Sequence, residues 1–86
     1  MERFSFLVLH NLKYAGDRKI LATYLLKNNF SLLSGTSFAA THVLNEHKSR
    51  YIKVLQDIKL LEFKQMKSTV IINYVEIDPQ SLKCVV

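Results

Sequence analysis

The chain has 86 residues, of which 49% are hydrophobic and 22% charged; that is material for one domain with a modest core, and it excludes a disordered chain. Two glycines and one proline leave little loop, which argues against a many-turned β-sandwich. The formal charge of +5 is uneven: residues 47–67 hold six basic side chains against two acidic ones, and residues 68–86 hold one lysine against two acids. A local basic excess suggests a polyanion partner more than an evenly basic surface does.

Residues 3–13, RFSFLVLHNLK, fit two periods. Phe4, Leu7, Val8, Asn11 and Leu12 make a helical stripe, whereas Phe4, Phe6 and Val8 alternate as in a strand. Leu7 and Leu9 spoil the alternation, so a helix is expected. YAGD then breaks the chain, with Gly16 open to a positive φ and Asp17 placed to cap the next helix. RKILATYLLKNN reads as that helix on Ile20, Leu21, Tyr24 and Leu25, ended by Asn28-Asn29. FSLLSGTS is a connection with room for one short strand.

SFAATHVLN is expected as a further helix, with Phe38, Ala39, Val43 and Leu44 inward, Thr36 or Ser37 as cap and Asn45 at its end. The next helix runs from about Lys48 to Ile58. It buries Tyr51, Ile52, Leu55 and Ile58 and presents Lys48, Arg50, Lys53, Gln56 and Asp57 outward. From Leu60 the period becomes two: Leu61, Phe63 and Gln65 point one way, Glu62, Lys64 and Met66 the other. After a turn near Lys67-Ser68, TVIINYVEI reads as a strand that ends at Asp78-Pro79. The two runs are expected to pair as an antiparallel hairpin whose loop is longer than a two-residue turn.

The order of helix, short helix, basic helix and hairpin, joined through LQDIKLLEFK, resembles the winged helix-turn-helix superfamily over roughly residues 18–78. Leu55, Ile58, Leu60 and Leu61 occupy the apolar positions of that family's leucine-rich turn into the first wing strand. Lys59 stands where the family usually has glycine, and the wing turn also lacks one. The resemblance implies an α+β fold for a single domain of residues 1–86. Its parts would be a three-helix core, a C-terminal β-hairpin wing over residues 61–77 and an extra N-terminal helix.

The same resemblance implies double-stranded DNA as partner, with the helix 48–58 in the major groove. Lys48, Arg50 and Lys53 would then supply the groove face, with Arg50 as the residue suited to guanine. Gln56 would reach a base edge and His47 a phosphate, while Lys64 and Lys67 on the wing would touch backbone. A transcriptional regulator acting as a homodimer through residues 3–13 is the expected form. The alternative is an interaction module of a larger assembly with no role on DNA, favoured by the missing wing glycine.

Catalysis finds no support, because there is no glycine-rich phosphate loop and no nucleophile arrangement, and the seven carboxylates are scattered. Neither an enzyme nor a cofactor is expected. His42 and His47 are five apart and share no helix face, and with His10 they have no acid or thiol at ligand spacing, so no metal is expected. Tyr14, Tyr24, Tyr51 and Tyr74 belong first to apolar faces, with Tyr51 and Tyr74 partly exposed. Cys84 is the lone cysteine, which suits a reducing, intracellular compartment, and with two residues after it falls one short of a prenylation motif. The opening MERFSFLVLH has too short an apolar run for a signal-peptide core or a bilayer span, so no membrane role is expected.

Overall fold

The segment with two readings is a strand. In the computed structural model of the chain, which describes residues 3–77, Arg3–His10 forms β1. Phe4, Phe6, Val8 and His10 are buried on one face, while Leu7 is half-buried and Leu9 exposed on the other. β1 has a strand on each side. An inner strand that is apolar on both faces loses the alternation of a half-buried one, which is why the helix expected over residues 3–13 is overturned.

Helix α1, Ala15–Lys27, buries Leu21 and Leu25. It is closed by Asn29 at φ 69°. The Phe30 N–H donates to the Leu25 carbonyl at 3.0 Å and the Asn29 N–H to Leu26 at 3.4 Å, a Schellman closure that drops Phe30 into the core. Gly16 does not take a positive φ, and Asp17 lies inside the first turn rather than capping it.

Ser31–Ser34 (β2) and Ser37–Leu44 (β3) pair as a hairpin across Gly35-Thr36, so the helix expected over residues 37–45 is also a strand. Phe38, Ala40 and Val43 face the core opposite Val8, Phe6 and Phe4. Between the last two pairs, Thr41 and His42 oppose Ser5 alone, and His42 takes φ 59°. This bulge moves the inward position from even to odd numbers, and the resulting 38, 40, 43 spacing imitates a helical stripe.

A single 3-10 turn, Asn45–His47, leads into α2, Lys48–Gln56, which a second 3-10 turn extends over Asp57–Leu60. The expected basic helix is therefore present. Tyr51 lies flat against Phe6 with ring centroids 6.0 Å apart and tilts against Phe30 at 5.7 Å. The hairpin wing is absent: β4, Ile72–Ile77, pairs with β1, not with residues 61–66. Those residues do alternate, with Leu61, Phe63 and Gln65 more buried than Glu62, Lys64 and Met66, yet no strand among the described residues pairs with them. Their Lys64 and Gln65 N–H groups donate instead to the Asp17 carboxylate, at 2.7 and 2.8 Å. A period of two marks extended backbone without naming its hydrogen-bond partner.

The sheet order is β2-β3-β1-β4 and every neighbouring pair is antiparallel. With chain order βαββαβ this is the split-βαβ, or ferredoxin-like, arrangement. The α+β class holds, but two helices on one face of a four-stranded sheet replace the three-helix core and wing. One apolar cluster fills the space between sheet and helices. Among the described residues no helix is long and apolar enough to cross a membrane. The expected turn at Asp78-Pro79 and Cys84 lie outside the described residues.

Candidate protein-binding edge and groove

The sheet ends in two different edges. β2 has four residues and a register irregularity between Leu32 and Ser34, both of which blunt an edge. β4 has six, INYVEI, with no break in register, no lysine and no proline. Its single charge, Glu76, is engaged by Lys48 at 2.8 Å.

Two backbone bonds set the phase of that edge. The His10 N–H reaches the Thr36 carbonyl at 3.0 Å, towards β3, and the Asn11 N–H reaches the Ile71 carbonyl at 3.1 Å, towards β4. Antiparallel alternation then pairs Asn73, Val75 and Ile77 with β1 and leaves the N–H and C=O groups of Ile72, Tyr74 and Glu76 pointing outward. The side chains of these same three residues lie on the helix side of the sheet, in line with His10, Val8 and Phe6.

A groove of about 910 Å³ lies beside Ile72 and Tyr74, where α2 stops after nine residues and no helix among the described residues covers β4. Ile58, Leu60, Leu61, Phe63, Ile72 and Tyr74 form its apolar lining. Leu60 and Tyr74 are 71% and 42% exposed, which is costly for side chains of that size in water. Lys59 and Lys67 border it against one acid, Glu62.

The wall at residues 61–70 is held by a polar clasp reaching back to the start of the chain. Asp17, 2% exposed, accepts the two N–H groups of Lys64 and Gln65. The Gln65 side chain, also buried, accepts the Lys13 N–H at 2.8 Å and donates to the Thr69 carbonyl at 3.2 Å. Asn11 donates to the same carbonyl at 2.7 Å and accepts the Ile71 N–H at 2.8 Å. Backbone that lacks a strand partner is thus satisfied by three side chains from residues 11–17 and 65.

The residues expected to read DNA are dispersed. Lys48 bridges Glu76 and sits 4.4 Å over the Phe4 ring. Arg50 lies 5.6 Å from Tyr51 beside a notch of about 120 Å³ at the end of α1. Lys53 pairs with Asp57 at 3.2 Å, and exposed His47 is 3.9 Å from Glu46. Lys64 leans over Tyr14 at 5.2 Å, near the start of α1. Only Gln56 and Lys67 meet, at the groove, together with Lys59. Asp17, Gln65 and Asn11 were not legible as a set: they are far apart in sequence and match no spacing rule. A buried polar residue facing an extended run without a strand partner is the one sign that could have found them.

His10 sits under the sheet against Phe38, with ring centroids 6.0 Å apart, and its Nδ1 accepts the Leu12 N–H at 3.1 Å. Burial, and then the Arg18 guanidinium, hold its pKa below the ordinary 6.5. The neutral ring is the form that can accept that bond. Comparison with family models, with curated proteins and with solved structures finds no match for this chain.

Proposed function

We propose that this chain is a protein-interaction domain that captures an extended segment of a partner along the β4 edge. One observation carries the reading: Ile72, Tyr74 and Glu76 turn their backbone N–H and C=O groups away from the sheet with no strand beside them among the described residues, and the side chains of Ile72 and Tyr74 line an apolar groove. A strand added to β4 gains main-chain hydrogen bonds, and every second side chain drops towards the groove. Aliphatic or aromatic residues at those positions suit its lining. Lys59 and Lys67 against Glu62 favour an acidic neighbour in the partner. The groove is open beside Ile72 and Tyr74, in the first half of β4, a shape that receives side chains of an added strand better than it encloses a small molecule.

The basic helix does not argue against this. Lys48 and Lys53 are neutralised by Glu76 and Asp57, and the reading of residues 48–58 as a recognition helix rested on a winged fold that the chain does not have. Mixed-sequence duplex DNA therefore serves as the control ligand.

Selection of a displayed random-peptide library on the wild type and on Tyr74→Pro tests the reading. The Tyr74 N–H points outward, so proline there spares the β1–β4 ladder while removing a donor from the edge. The expected winners alternate apolar residues, carry an acid at one end and lose at least about tenfold in affinity on Tyr74→Pro relative to Tyr74→Ala. Winners that bind Tyr74→Pro as well as Tyr74→Ala, or tight salt-dependent binding of the duplex in their place, would sink it.

A further inference from the structure

Residues 78–86, DPQSLKCVV, follow β4 directly and lie outside the described residues. They begin with Asp78-Pro79, and aspartate followed by proline suits the first two positions of a type I turn. The edge that they leave decides how such a turn can close. Ile77 is paired with Ser5, and its backbone groups, like those of Asn73 and Val75, are turned to β1. A turn closed through Ile77 is therefore barred. One closed a residue later, between Asp78 and Ser81, falls in phase with Ile72, Tyr74 and Glu76, whose groups point outward. Its middle positions are Gln80 and Pro79, and the proline has no N–H to lose there.

That turn fixes a register along β4. With Ser81 opposite Asp78, Lys83 stands opposite Glu76, Cys84 opposite Val75 and Val85 opposite Tyr74. Lysine meets the single charge of β4 and a β-branched residue meets its aromatic one, both pairs that stabilise neighbouring strands. Lys83 and Val85 share the helix side with Glu76 and Tyr74, so Val85 comes to the groove that Tyr74 lines. Glu76 then has Lys48 on one side and Lys83 on the other. Moved by one residue, the register would set Cys84 against Glu76 and turn Lys83 to the open face beside Ile77. Length agrees: the stretch from Ser81 to Val86 extends about 20 Å at about 3.3 Å per residue, enough to carry Val85 to the groove.

We infer that residues 81–86 fold back on β4 as a fifth strand, a latch that holds the capture edge until a partner segment displaces it. The chain's own segment is the favoured occupant because a loop of two residues presents it at an effective concentration of about millimolar or more. A type I turn matches the twist of paired strands poorly, so the latch is weak. Closed roughly nine parts in ten, it lowers the apparent affinity of a partner about tenfold. The same occupancy slows exchange of the Tyr74 and Glu76 amides only about tenfold, so they stay fast beside those bonded to β1. The regulatory consequence rests on β4 being a capture edge; the fold-back itself does not.

Cys84 is the single cysteine of the chain, so a second one placed on β4 reports its position. Opposed residues that share no hydrogen bond stand about 4.5 Å apart at Cα, within reach of a disulfide. In the full chain at low concentration, Val75→Cys under mild oxidant should close an intramolecular disulfide at least about tenfold faster than Asn73→Cys or Glu76→Cys, read by intact mass. The locked chain should lose a peptide selected on β4 and regain it on reduction. Lys83→Glu sets like charges opposite each other and should speed exchange at Tyr74 and Glu76 about tenfold, with no substitution on β4. Equal closing rates at the three positions, or exchange indifferent to Lys83→Glu, overturn the latch, and fastest closure at Glu76→Cys overturns its register. A peptide bound equally by locked and reduced chains overturns the competition. Preferred closure at Val75→Cys with no peptide bound by either form leaves the fold-back standing and removes the capture reading.

Discussion

Asp17 is the side chain with the most to lose. It is buried and has no cationic partner among the described residues; what holds it is the pair of backbone N–H groups of Lys64 and Gln65. Asp17→Ala removes two charge-assisted bonds and strands both donors, so it should cost about 3 kcal/mol, with Asp17→Asn between it and the wild type, in urea unfolding. Because the same bonds hold the groove wall, the alanine variant should also weaken any peptide bound at β4. His10 makes a pH-dependent contribution. Its folded-state pKa lies below the ordinary 6.5, so the unfolded chain takes up the proton first as pH falls. The stability it confers is complete above that ordinary value and is lost as pH drops through the lower folded-state value. The unfolding midpoint should therefore fall between about pH 7.5 and about pH 5, and a midpoint that holds steady would mean the ring is not held neutral. Tyr24 ties the helices together by donating to the Val54 carbonyl at 2.6 Å, and Tyr24→Phe should cost about 1 kcal/mol in the same assay.

The strand β4 carries the function we propose, and its backbone phase can be read directly. Hydrogen exchange should find the amides of Asn73, Val75 and Ile77 protected by β1 and those of Ile72, Tyr74 and Glu76 fast. A bound segment should slow the second set and leave the first unchanged. Uniform protection along β4 in the free chain would show the edge already covered. The contrast with β2 has a simple origin: four residues with a register irregularity cannot template a strand, and six in unbroken register can.

The whole fold places the β4 edge and the groove together, at one margin of the sheet and on its helix side. A ligand that binds only the folded chain stabilises it by mass action, so the melting temperature should rise with a selected peptide and rise much less in Tyr74→Pro.

The basic helix at residues 48–58, the helix ending at Asn28-Asn29, the strand near its C-terminal end and the α+β class were all legible, because they rest on contacts between near neighbours in the chain. The extended character of residues 61–66 was legible for the same reason. Pairing was not. Whether INYVEI would join LEFKQ or the distant RFSFLVLH depends on which surface closes the core, and a period of two is silent about that. The two segments mistaken for helices failed by one cause each. Leu7 and Leu9 masked a strand that is apolar on both faces, and the bulge at Thr41-His42 converted an alternating pattern into a helical one. The winged fold expected from the resemblance needed a short helix over residues 37–45 and a hairpin over residues 61–77, and it is overturned by the strand β3 and by the pairing of β4 with β1. The sum of charge near α2 was plain from composition. The pairing of Lys53 with Asp57 is local to the helix, but that of Lys48 with Glu76 exists only once β4 lies near the start of α2.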